Sequence, residues 1–342
     1  MKVLVKFIVS GASALAMVAC AGSAQQDMFI PEGYELLWSD EFDGDSLNTG
    51  NWTPEYGGHG WGNNELQFYT GRKENVDVKD GRLVMTARKE DYNGSPVTSA
   101  RLITLGKFEF RYGYVVASIK LPKTSEGLWP AFWMMGNDIK SLGWPNCGEI
   151  DILEMGHSNG IKDGTSEQFL NGACHWGVPH HQYYAHDITN PYSVQDGEFH
   201  TFTCIWDEEY VRTYIDLEKY PSVEPYFEMK IEDFGNDEFR KDNFILLNLA
   251  VGGNFPQIWD INKITALANG PRSVYIDWIR IYQQGTDKET FVSPSPSDDI
   301  EPENGTAVDN IILSQPAQKV IINGQLYIHK DGQLYNIVGQ PL

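Results

Sequence analysis

Between residues 27 and 284 one local signature recurs: short runs in which apolar and polar side chains alternate, closed by Gly, Asn or Asp. A period of two belongs to a half-buried strand, because successive side chains of an extended backbone point to opposite faces. Residues 81–87 (GRLVMTA), 107–119 (KFEFRYGYVVASI), 199–206, 210–215, 244–251 and 273–282 all read this way. Helical periodicity over more than two turns is hard to find, and short helices fit only near residues 231–241 and 261–267. Many strands joined by tight turns favour an all-β fold, a β-jelly-roll sandwich of two curved antiparallel sheets with a concave cleft suited to a polymer. No Pro/Ser-rich break or internal repeat interrupts this stretch, so residues 27–285 are read as one domain.

Charge narrows the partners. Lys plus Arg number 26 against 47 Asp plus Glu, a formal net charge of −21. Neutralising phosphates takes clustered Lys and Arg, so nucleic acid and anionic membrane surfaces are excluded as main partners, and a polyanionic substrate is disfavoured. Aromatic residues are 13% of the chain, with 10 Trp and 17 Tyr. Exposed rings are one way to hold sugars by their apolar faces, although for any single ring a place in the core is the stronger expectation.

The most informative segment is Gly148-Glu149-Ile150-Asp151-Ile152-Leu153-Glu154, three carboxylates interleaved with three large apolar residues. On a helix, residues five apart sit about 140° from each other, so Glu149 and Glu154 would not share a face. On a regular strand Glu149 and Asp151 share one face while Glu154 falls on the other. One β-bulge that absorbs Leu153 as an extra residue returns Glu154 to the side of the other two, and that bulge is expected. Three acids on one face repel each other and raise one another's pKa, a cost that a purely structural strand seldom carries. Glycoside hydrolysis wants this arrangement: one carboxylate attacks the anomeric carbon, and a second, kept protonated by its neighbours, protonates the leaving oxygen. Convergence of the two Glu carboxylates to about 5–5.5 Å would imply retention through a covalent intermediate. An exposed face of solvated acids is the bland alternative. A Ca²⁺ or Mg²⁺ site is another, since carboxylates without histidines suit hard cations.

Upstream lie residues 127–136 (GLWPAFWMMG) and 143–147 (GWPNC). Trp129 and Trp133, four apart, face the same way on a strand, as stacking platforms near the acids. Of the three tryptophans including Trp144, at least one is expected in the core.

The run GLWPAFWMMGNDIKSLGWPNCGEIDILE resembles the active-site strand region of glycoside hydrolase family 16, in its laminarinase-type branch of endo-1,3-β-glucanases. Further segments similar to that family are LLWSDEFDG at 36–44, NNELQFYT at 63–70, VKDGRLVMTARKE at 78–90, FEFRYGYV at 108–115, HW at 175–176, LLNLAVGGNFP at 246–256 and VYIDWIRIYQ at 274–283. The resemblance implies a jelly-roll sandwich and a retaining mechanism acting on β-glucan, with Glu149 as nucleophile and Glu154 as general acid/base. Asp151 would hydrogen-bond the nucleophile. The spacing with its extra residue resembles laminarinases, agarases and carrageenases, and not the shorter motif of lichenases. Trp129 and Trp133 match sugar-stacking positions, and Asn64, Glu65 and Arg101 match positions that bond glucose hydroxyls. His175, on the adjacent strand, would approach the acid/base. No cofactor is implied for catalysis. A structural Ca²⁺ is implied at Glu41, the Gly81 carbonyl and Asp277, all oxygen donors. His180, His181 and His186 form no zinc-ligand spacing. Two alternatives stay open: an agarase- or carrageenase-type galactanase, and a glucan-binding protein that does not hydrolyse. The subsite loops at 92–99 and 156–171 carry no readable specificity code.

Both ends read as addresses. Lys2 and Lys6 precede an apolar and small-residue run over residues 7–19, so residues 1–20 read as a secretory signal. Cys20 resembles a bacterial lipoprotein cleavage site, the only route to a membrane expected here; cleavage after Ala24 competes with it. Only Cys147, Cys174 and Cys204 remain, too few for a disulfide framework, and buried free thiols are expected, with a Cys147–Cys174 bridge as the alternative. Residues 286–310 are Pro, Ser and acid rich and read as a linker. Residues 311–342 alternate around Asn323-Gly324 and Asp331-Gly332, hairpin signals, and resemble the C-terminal sorting tails of exported Bacteroidetes proteins. A small β appendage with no sorting role is the alternative. An exported or surface-held monomer is the expectation.

Overall fold

Alternation along the strands sorts the side chains onto two faces, and the computed structural model shows which face is which. It describes residues 30–284 apart from 125, 178, 179, 233 and 234, with the strand backbones at 291–292, 318–322, 325–330 and 333–335. Two sheets of ten and seven strands carry the fold. The larger is antiparallel except where Gln67–Tyr69 runs parallel to Ser95–Ser99. The smaller is antiparallel throughout, in the order Gln182–Thr189, Phe169–Trp176, Glu149–Glu154, Leu128–Gly136, Asn243–Val251, Arg101–Ile103 and Thr53–Pro54.

The main core lies between the sheets. Val115, Ala117 and Ile119 from one meet Leu128, Phe132, Met134, Ile150, Ile152, Leu153, Ile245 and Leu247 from the other. Each of the larger of these buried side chains contributes roughly 1.5–3 kcal/mol, enough in sum to hold a strand whose other face is electrostatically unfavourable. On that opposite face of the seven-stranded sheet, Trp133, Met135, Ile139, Cys147, Phe244 and Leu246 form a smaller cluster beside the acids. Cys147, Cys174 and Cys204 are buried free thiols, so the alternative bridge is not formed.

The strand expected at 107–119 divides into Phe108–Glu109 and Gly113–Lys120, because Tyr112 takes a left-handed φ of 63°. Of the expected loops, residues 92–99 instead close a hairpin between Leu83–Tyr92 and Ser95–Ser99, and residues 156–171 contain the helix Ser158–Asp163. The expected short helices are 3₁₀ turns at Asp237–Arg240, Ile261–Lys263 and Thr265–Leu267. No helix among the described residues is long and apolar enough to cross a membrane. Strands Gln318–Ile322, Gln325–Lys330 and Gln333–Tyr335 pair antiparallel, with Ile322 opposite Gln325 and Lys330 opposite Gln333. The N-terminal address with Cys20 and most of the 286–310 linker lie outside the described residues.

Candidate active site

The acid strand Glu149–Glu154 sits between the tryptophan strand Leu128–Gly136 and Phe169–Trp176. Its register sets the site. Met135 lies opposite Glu149, Trp133 opposite Asp151, Phe132 opposite Leu153 and Ala131 opposite Glu154, so one residue is passed over. The bulge is present, but the residue without a partner on the tryptophan strand is Ile152 and not Leu153. Both side chains are buried in the core, at 0% and 1% exposure, so apolar packing takes up the extra residue and Glu154 returns to the side of Glu149 and Asp151. Gly148 and Gly156 bracket the strand with positive φ. A Cβ on Gly156 would stand 2.0 Å from the Leu128 carbonyl, so only glycine allows the strands to meet there.

Each acid has its own surroundings. Glu154 accepts from Trp129 Nε1 at 2.9 Å. Glu149 accepts from Trp144 Nε1 at 2.8 Å. Asp151 is 3% exposed and faces His175, whose Nε2 lies 3.4 Å from Oδ2. The hydrogen bond from Asp151 to Glu149 that the resemblance implies is not formed.

Burial raises all three acids. Glu149 is pushed up from 4.5 to about 8 by desolvation and then by Asp151, against His175, the Trp144 bond and Arg101. Asp151 is likewise pushed to about 8 by burial. Glu154 is raised well above 4.5 by burial and then by the charge of Asp151. Glu149 has an indole N–H and an imidazole to stabilise a negative charge, while burial and the charge of Asp151 favour the protonated form of Glu154.

The antiparallel register with Phe169–Trp176 sets Glu149 opposite His175 and Glu154 opposite Asn171. His175 is therefore level with Glu149, and its charge also reaches Glu154. Trp129 and Trp133 share the acid-bearing face as expected, yet each is only 8% exposed. Phe255 stacks on Trp129 at 4.7 Å and 9°, while Trp133 donates to Asn248 at 2.7 Å and lies under the Arg101 guanidinium at 4.8 Å. Of these three tryptophans the exposed one is Trp144, at 40%.

Arg101 connects the outlying positions to the acids. It sits between the Trp133 and Trp61 rings and pairs with Glu55 at 2.5 Å. Glu65 is buried and accepts from Gln67 at 2.5 Å and Tyr69 at 3.0 Å. Burial raises its pKa, partly offset by Arg101. Asn64 is exposed, with φ 54°, and donates to Asn254 at 3.0 Å. Residue order alone does not point to Trp144, Trp61, His181 or Asn248 as parts of the site. Trp144 and Trp61 lie in Gly- and Pro-containing loops, where no strand register tells which way a side chain points.

Two of the three expected calcium donors, Glu41 and Asp277, carry arginine partners in this structure. Arg280 takes both Glu41 oxygens at 2.8 and 2.7 Å, and Arg82 approaches Asp277 at 3.3 Å. Both carboxylates are matched by cations of the chain itself.

Fold and site together define a β-sandwich of the glycoside hydrolase type, with its acids on a bulged strand of the smaller sheet. The family model described as Beta-porphyranase A-D, GH16 domain, matches residues 36–284. The clotting factor G alpha subunit of Tachypleus tridentatus is 36% identical over 256 residues, 74% of this chain, and this chain spans 34% of that protein's length. A β-glucanase from Rhodothermus marinus is 34% identical over 261 residues, covering 73% of this chain and 85% of that one. Among solved structures, the Bacteroides ovatus mixed linkage glucan GH16 protein in complex with its G4G4G3G product is 41% identical, with a TM-score of 0.64, covering 71% of this chain and 99% of that one. The chain belongs to glycoside hydrolase family 16.

Proposed function

We propose that this chain is a retaining endo-β-glucanase that hydrolyses internal β-1,3-glucosidic bonds of laminarin-type glucan and also accepts mixed-linkage β-1,3-1,4-glucan. The observation that carries this is the bulged strand holding Glu149 and Glu154 on one face, each fixed by a different indole N–H. Glu149 attacks the anomeric carbon while Glu154 gives its proton to the departing glycosidic oxygen. Glu154, now ionised, takes a proton from water, and the hydroxide oxygen displaces Glu149 from the sugar. Names among the relatives support a glucan substrate: a β-glucanase, and a structure holding a mixed-linkage glucan product.

A galactan is the second reading, favoured by the description of the matching family model. A sulfated galactan calls for a cationic cleft, whereas Arg101 at this site is already paired with Glu55 and the chain carries −21. Product analysis on laminarin, mixed-linkage glucan, agarose and porphyran in parallel decides. Reducing sugar from porphyran or agarose with none from either glucan would replace the first reading by the second. Glu154→Gln is expected to lower kcat by about 10²–10⁴. Glu149→Gln should abolish turnover while leaving oligosaccharide binding largely intact; retained turnover would remove Glu149 from the nucleophile role.

Residues 1–20 support export, Cys20 a lipid anchor and residues 311–342 a sorting role, which together would set the enzyme on or outside the cell surface. Fractionation of Cys20→Ala tests the anchor: release from the membrane is expected, and unchanged membrane association counts against it.

A further inference from the structure

One donor atom each from Glu149, Asp151 and His175 lies within 4.8 Å of the other two. His175 Nε2 is 3.4 Å from Asp151 Oδ2 and 4.0 Å from Glu149 Oε1. Asp151 Oδ2 is buried with no hydrogen-bond partner among the described residues, and a carboxylate oxygen left in that state carries a desolvation cost that a cation relieves. The imidazole is held from behind, with His175 Nδ1 and His181 Nε2 2.9 Å apart. When Nδ1 donates to His181, Nε2 turns a lone pair toward the two carboxylates, the orientation that an outer hydrogen bond gives to metal-bound histidines. Trp144 occupies Glu149 Oε2, which leaves Oε1 facing His175.

We propose that Glu149, Asp151 and His175 form a binding site for a divalent cation of the Zn²⁺ class, and that occupancy stops hydrolysis by taking Glu149 as a ligand. Two carboxylates and one imidazole with a fourth position for water is the ligand count of an open zinc site. The imidazole selects against Ca²⁺ and Mg²⁺, which take oxygen donors. Tetrahedral bonds of about 2.0–2.2 Å set donors about 3.3–3.6 Å apart, already the His175–Asp151 spacing of 3.4 Å, and Glu149 closes the remainder by a side-chain movement of up to about 1.5 Å. The site itself is independent of the enzymatic reading; the inhibition rests on the proposed role of Glu149.

Co²⁺ titrated into the tag-free full chain gives the direct readout. Expected are the visible absorption of a four-coordinate Co²⁺ site, its loss on adding Zn²⁺ but not Ca²⁺, and a Zn²⁺-dependent rise in unfolding temperature. His175→Gln and Asp151→Asn should each lose the absorption and weaken Zn²⁺ binding by at least about tenfold. Two variants are used so that a folding defect in one, seen by circular dichroism, does not decide the matter. Absorption that survives in either folded variant, or that Ca²⁺ also abolishes, overturns the site. Zn²⁺ should inhibit glucan hydrolysis competitively; full activity at saturating Zn²⁺ overturns the inhibition. A chain that binds Co²⁺ as described yet hydrolyses no glucan supports the site and sinks the glucanase reading.

Discussion

The Tyr226 phenol donates to the carbonyl of Ile152, the residue that the tryptophan strand passes over. A bulge strips a peptide group of its ladder partner, and here a buried side chain replaces it. Tyr226 is 2% exposed, and burial raises its pKa, so it stays a donor across the working pH range. Tyr226→Phe is expected to cost about 1–3 kcal/mol by leaving that carbonyl unsatisfied, and to lower kcat more than it raises KM because Glu154 follows two residues on. Denaturant melts and steady-state kinetics measure both. An unchanged kcat would show that the bulge keeps its shape without this bond.

The pH–rate profile should be bell-shaped, its acid limb reporting ionisation of Glu149 and its alkaline limb deprotonation of Glu154. Burial places the acid limb above the ordinary 4.5, toward about 8. His175 opposes that rise, so His175→Gln should move the acid limb of kcat/KM further to alkaline pH. A limb that stays in place would mean that His175 does not act on the charge of Glu149.

Stability should move with pH in the direction opposite to that of a salt-bridged carboxylate. Unfolded, Glu149 and Asp151 would titrate near 4.5 and 3.8, whereas in the folded chain both are pushed to about 8. Between those values the folded state holds more protons. Their contribution is therefore fully present below about pH 4 and is lost as pH rises toward about 8. Glu149→Gln and Asp151→Asn are expected to be more stable than the parent near neutral pH, with the gap closing in acid. Guanidinium melts at about pH 4, 5.5 and 7 test the sign. A variant less stable than the parent at neutral pH contradicts it.

Arg101 lies between two indole rings and against Glu55, an arrangement suited to a flat guanidinium and not to an ammonium. Arg101→Lys is expected to raise KM for glucan by about twofold to thirtyfold, the equivalent of roughly 0.5–2 kcal/mol, with kcat nearly unchanged. A fall in kcat at constant KM would place Arg101 with the acids and not with substrate binding.

Much of the site could be read from residue order because strand geometry is simple. A period of two, interrupted once, was sufficient to set Glu149, Asp151 and Glu154 on one face and to require a bulge. That the tryptophan strand passes over Ile152 while Phe169–Trp176 passes over both Ile152 and Leu153 was not legible, since both are large, apolar and buried, and the decision lies in the neighbouring strands. The place of His175 depended in the same way on the register of the next hairpin, which brought it to Glu149.

Alternation, turn chemistry and an acid-rich heptapeptide determined the sandwich and the acids, since both follow from short-range geometry of the chain. Tertiary structure alone decided what surrounds each acid: Trp144 on Glu149, Trp129 on Glu154, His175 toward Asp151 and Tyr226 behind the bulge. Trp144 comes from a loop, His175 from the neighbouring strand and Tyr226 from a distant segment. Contacts of that kind exist only after the sheets close, and they set the differences in hydrogen bonding that distinguish three chemically similar buried carboxylates.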